Sequence, residues 1–142
     1  MEASGNWEPF GTTRSMAEDL AATGPAGLHR EPARRLIVIT CMDARIDPLR
    51  GLGLAIGDAH VIRNAGALIT DDVLRSIDVS RSRMRTDRAL VVGHTDCAGF
   101  DSDELAEEGV RTSMRALKAA VPELRVDGAM YDVRAGMVRP VA

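Results

Sequence analysis

Apolar residues dominate the run Leu36-Ile37-Val38-Ile39-Thr40, a short β-branched stretch of the kind that forms a strand buried on both faces. A second run, HVIRNAG over residues 60 to 66, follows the turn signal Ile56-Gly57-Asp58. A third, ALVVGHT over 89 to 95, again ends at polar groups. Between the second and third, TDDVLRSIDVSRSRMR predicts a helix. Thr70 or Asp71 can cap it, and Val73, Leu74, Ile77 and Met84 form its apolar face. Strands alternating with helices predict an α/β fold, a central, mostly parallel β-sheet flanked by helices. Past Cys97 the chain turns acidic (DSDELAEEG), and VRTSMRALKAAVPEL then predicts an amphipathic helix from near Val110 to near Pro122. The tail DGAMYDVRAGMVRPV predicts two strands around a turn at Ala135 and Gly136.

Residues 1–35 are polar and broken by glycine and proline, an arm in which SMAEDLAAT predicts one short helix. Ser15 is placed to cap that helix, with Glu18 completing a capping box. Residues 36–142 then make a single α/β domain. Composition adds limits. The 142 residues carry a net charge of −3, so neither nucleic acid nor an anionic membrane is an expected partner. No apolar stretch reaches the roughly eighteen residues of a membrane-spanning helix, and the N-terminus lacks a secretory pattern. A cytoplasmic location is therefore expected. There the two cysteines read as thiols, catalytic groups or metal ligands before they read as a disulfide.

Those cysteines stand where chemistry is expected. Cys41-Met42-Asp43-Ala44-Arg45 directly follows the first strand, and His94-Thr95-Asp96-Cys97 closes the third. In an open parallel sheet, ligands bind at the carboxyl ends of the strands. Two thiolates and an imidazole make a proper zinc set, with a fourth position open to water or to a carboxylate such as Asp43. Read from spacing alone, two small buried residues remain the competing explanation, because His-x-x-Cys is a weak motif.

The same residues resemble a known family. Cys41-x-Asp43-x-Arg45 and His94-x-x-Cys97 are similar to the two signatures of the β-class carbonic anhydrases. The stretch from Gly57 to Gly66, and its continuation from Thr70 to Ser76, resemble the segment between them. The match runs from about Leu36 to Cys97 with the motifs in family order. It departs from the family at Ala98, where glycine is usual, and in the short segment after Cys97.

The resemblance implies a zinc ion held by Cys41, His94 and Cys97, with Asp43 or water as the fourth ligand. It also implies an Asp43–Arg45 pair, with Asp43 free to accept from zinc-bound water or, when released, to close the site. The implied reaction is reversible hydration of CO2 to bicarbonate by hydroxide on the zinc. Hydrolysis of carbonyl sulfide or carbon disulfide on the same scaffold is the alternative, and a zinc-binding, non-catalytic homologue a second. The family also implies a homodimer or higher homo-oligomer. Among the remaining polar residues, His60 is expected to be structural, Arg63 to brace loops, Gly66 to allow a close backbone approach and Asp96 to be an exposed turn acid.

Overall fold

The computed structural model describes residues 28–142, so the expected helix of the arm, with its Ser15 cap, lies outside the described residues. Five strands form one sheet: β1 (Leu36–Cys41), β2 (Ala59–Asn64), β3 (Arg88–His94), β4 (Arg125–Asp132) and β5 (Met137–Val141). Their order is β2-β1-β3-β4-β5. The first four run parallel, and β5 returns antiparallel to β4. Among the described residues three helices accompany them: α1 (Pro48–Gly51), α2 (Asp71–Met84) and α3 (Asp103–Ala120). The α/β architecture is the one the alternation predicts.

Side-chain alternation explains the core. Ile37, Ile39 and Cys41 of β1 and Val91 of β3 face one side, where they meet Val73 and Ile77 of α2 and Val110, Met114 and Leu117 of α3. Ile37, Ile39, Ile77 and Leu117 are fully enclosed, each stabilising the fold by about 2 kcal/mol through burial. Val38, Val92 and Ala129 face the other side, under Leu52, Leu54 and Tyr131. Helix α2 starts where the sequence places it, the Thr70 hydroxyl accepting from the Val73 N–H at 3.3 Å. Helix α3 starts at Asp103 and not near Val110, with Ser102 as its cap. The acidic run is thus its first two turns. Asp103 and Glu104 suit the positive end of the helix dipole, and Ala106 continues the apolar face one turn ahead of Val110. Helix α1 has no apolar periodicity to announce it; Asp47 caps it and Pro48 opens it.

Two features position the site. The order β2-β1-β3 means that the chain leaves β1 to one side and later returns to the other. That creates a topological switch between β1 and β3, and the crevice at their carboxyl ends is where such sheets bind ligands. Gly93, next to His94, then lets α3 approach closely. A Cβ there would meet Val110 Cγ2 at 2.5 Å and Met130 Sδ at 2.9 Å.

Candidate metal centre

Cys41 is the last residue of β1 and His94 the last of β3. Cys97 follows in the turn that leads into α3. All three are buried, and one ligand atom from each lies within 4.8 Å of the others. The two sulfurs are 4.0 Å apart, and both cysteines are free thiols. Two thiolates on one tetrahedral zinc, at Zn–S of about 2.3 Å, sit about 3.8 Å apart. The spacing is thus that of co-ligands and far too long for a disulfide.

The histidine is oriented to match. Nδ1 of His94 lies 2.7 Å from the Thr95 carbonyl oxygen. A carbonyl only accepts, so Nδ1 carries the proton and Nε2 keeps a lone pair. That Nε2 is buried and has no hydrogen-bond partner among the described residues, a costly state for a polar atom unless something binds it. A neutral imidazole with one nitrogen fixed by a carbonyl is the arrangement in which histidine ligates metal. The donor set, its spacing and the bare Nε2 together fit a zinc ion.

The sulfurs carry their own partners. The Gly66 N–H points at Cys41 Sγ from 3.4 Å, which stabilises a thiolate. Gly66 has φ +92°, and a Cβ there would press on Phe100 at 3.1 Å, so both backbone angle and space favour glycine. Burial pushes the Cys97 thiol above its ordinary range; the Gly99 backbone opposes this and neighbouring Cys41 adds to it. A metal bound here would therefore displace thiol protons.

Asp43 and Arg45 lie at the mouth of this cluster. Arg45 Nε and NH2 donate to the two carboxylate oxygens of Asp43 at 3.0 and 2.9 Å, and the Arg45 backbone N–H adds a bond of 2.9 Å. The guanidinium and that backbone N–H hold the Asp43 carboxyl far below the usual carboxylate range. Asp43 Oδ2 is 3.9 Å from His94 Nε2, which places a charged acceptor beside the ligand cluster. The structure thus brings Cys41, Asp43, Arg45, His94 and Cys97 into one place.

Other expected residues fall where their plainer reading puts them. His60 bonds Ser80 Oγ at 2.7 Å and the Arg30 carbonyl at 2.8 Å, a structural link. Arg63 donates to the carbonyls of Cys41, Asp43 and Ile46, bracing the loop that carries Asp43. Asp96 is an exposed turn acid as read, yet it does more: it accepts from Arg45 NH1 at 3.0 Å. Its left-handed backbone, φ +52°, turns the side chain that way. No spacing rule carries that signal. An Asp that tolerates this conformation better than most residues is the one hint available.

The chain is similar in sequence and fold to known proteins. The carbonic anhydrase family matches residues 36–127. A β-carbonic anhydrase 1 of Mycobacterium tuberculosis is 37% identical over 128 residues, covering 85% of this chain and 74% of that protein. A carbon disulfide hydrolase of Saccharolobus solfataricus is 37% identical over 99 residues, covering 66% of this chain and 48% of that protein. Among solved structures, a carbonic anhydrase from Streptococcus mutans superposes with a TM-score of 0.77 at 35% identity, over 91% of this chain and 94% of that one. By sequence, fold and the order of its motifs, the chain belongs to the β-class carbonic anhydrase family.

Proposed function

We propose that the chain reversibly hydrates CO2 to bicarbonate at a zinc ion held by Cys41, His94 and Cys97. The observation that carries this reading is the buried His94 Nε2, unpartnered among the described residues, on a histidine clustered with two free thiols and beside a carboxylate already paired with arginine. Zinc would supply Lewis acidity that makes water nucleophilic at neutral pH.

The chain's own residues do the rest. Thr95 fixes the imidazole; Gly66 supports the Cys41 thiolate. Asp43, kept ionised by Arg45, offers an acceptor that orients a donor O–H in the mouth of the site. A carboxylate held this firmly does not take up a proton near neutral pH, so it serves as acceptor and orienter. His60 has both nitrogens engaged and His29 is an exposed residue of the segment before β1. Buffer or another group must therefore take the proton.

Carbon disulfide hydrolysis is the second reading, supported by several relatives of that name. Both substrates are linear molecules with an electrophilic central carbon, so the same groups serve. Parallel assays of CO2 hydration and carbon disulfide hydrolysis on zinc-loaded protein decide between them. Turnover of CO2 well above that of carbon disulfide supports the proposal, and the reverse ranking replaces it.

A homodimer or higher homo-oligomer belongs to the same proposal. Val61 on edge strand β2 and Met137 and Val138 on edge strand β5 are exposed apolar residues, a pattern that suits cover by another copy. Light scattering on eluting protein tests it. A cytoplasmic setting completes the proposal, since a reducing compartment suits two free thiols.

A further inference from the structure

Arg45 is held from two sides. One edge of its guanidinium, Nε and NH2, is taken by Asp43. Asp96 holds the other: NH1 donates to Asp96 Oδ2 at 3.0 Å, and NH2 also donates to the Asp96 backbone carbonyl at 2.9 Å. Asp96 is itself fixed, because its backbone N–H donates to Asp103 Oδ1 at 2.8 Å in the first turn of α3. The chain of contacts therefore runs from α3 through Asp96 and Arg45 to Asp43, beside the ligand cluster.

We infer that Asp96 is a positioning residue for this site: its carboxylate anchors Arg45 so that the guanidinium keeps Asp43 engaged and away from a metal held by Cys41, His94 and Cys97. The inference rests on the zinc reading above. Its physical basis is a competition. Asp43 Oδ2 lies 3.9 Å from His94 Nε2, close enough for a modest side-chain rotation to bring it to a metal there. What opposes that rotation is a guanidinium whose own position is set. A planar fork loses less freedom on pairing when it is already immobilised. Remove the Asp96 carboxylate, and Arg45, almost half exposed, keeps Asp43 but loses its second side-chain anchor. The Asp43 carboxylate then spends more time at the position an exogenous anion would otherwise occupy.

The Asp96 backbone lies in the left-handed region, which glycine and asparagine both tolerate. Asp96→Gly and Asp96→Asn therefore remove the carboxylate while sparing the turn, the N–H to Asp103 and the carbonyl that accepts from Arg45. Asparagine retains an oxygen within reach of NH1.

The test uses full-length protein loaded with cobalt(II) in place of zinc. Azide affinity is read from the visible ligand-field bands, alongside metal content. Asp96→Gly is expected to weaken azide binding about fivefold, the upper range for a partly exposed ion pair, and Asp96→Asn to recover most of the loss. In an Asp43→Ala background, Asp96→Gly is expected to have no effect, because the competing carboxylate is gone. Equal azide affinities in wild type and Asp96→Gly, both with stoichiometric cobalt, overturn this inference and leave the zinc reading standing. The same fivefold loss in the Asp43→Ala background also overturns it, since Asp96 would then act without Asp43. Wild-type protein that takes up no cobalt or zinc overturns both.

Discussion

His94 donates its Nδ1–H to the carbonyl of Thr95, its neighbour in sequence, at 2.7 Å, and its Nε2 is buried with no hydrogen-bond partner among the described residues. A polar nitrogen buried without a partner is disfavoured by about 1–3 kcal/mol. Here it belongs to a histidine clustered with two buried thiols whose sulfurs are 4.0 Å apart. A local backbone contact thereby sets the tautomer on which the proposed metal centre depends.

Metal should accordingly stabilise the fold. Zinc that binds only the native state, at a free concentration a thousandfold above Kd, stabilises by about 4 kcal/mol. For a chain of this size that raises Tm by roughly 10 °C. Calorimetry before and after chelation checks this, with recovery on adding zinc. In Cys41→Ser the zinc content and the chelator-sensitive part of Tm should both fall.

Asp43 and Arg45 should act as a unit. With three hydrogen bonds joining them, Asp43→Ala and Arg45→Ala are each expected to lower turnover about 10- to 100-fold, the range for groups that orient a metal site. The double variant should lose little more than either alone. Steady-state kinetics on the four proteins, each with zinc counted, provides the check; multiplicative losses would show the two residues acting independently.

Gly93→Ala should destabilise the domain without touching a ligand. Its new methyl meets Val110 and Met130 inside the packed layer between β3 and α3, and overpacking of that kind costs about 1–3 kcal/mol. Urea unfolding of both proteins reads the difference directly.

Acid should loosen the contact of α3 with β5. Glu107 accepts from Arg139 at 2.9 and 3.1 Å and from Arg111 at 3.2 Å. Arg139 first, and Arg111 with it, hold the Glu107 carboxyl below its ordinary 4.5. A depressed folded-state value means that the contribution is complete above 4.5 and disappears as pH falls through the folded value. In Arg139→Gln the acid limb of stability should be shallower below that pH. Denaturation midpoints measured from pH 3 to pH 6 on both proteins check it.

Most of the fold is legible in the sequence because the central strands β1 and β3 are short apolar, β-branched runs buried on both faces. Leu36 to Thr40 and Ala89 to His94 announce themselves in that way. The cluster of Cys41, His94 and Cys97 is legible because parallel strands deliver their last residues to one edge, and Cys41 and His94 are such residues. The start of α3 is not legible in the same way: the run from Asp103 to Glu108 is mostly charged, and helix formation there follows from capping by Ser102 and from Ala106 packing inward. Helix α1 is a single turn with no buried residue to set a period. The contact of Asp96 with Arg45 joins side chains 51 positions apart through a left-handed turn, and residue spacing alone does not reveal it.

The most direct test is stopped-flow CO2 hydration by the purified protein with zinc counted in the same sample, beside Asp43→Ala. Near-stoichiometric zinc and CO2 turnover that drops in the variant are the predicted result. Stoichiometric zinc with no CO2 turnover at any pH between 6 and 9 would contradict carbonic anhydrase activity for this chain.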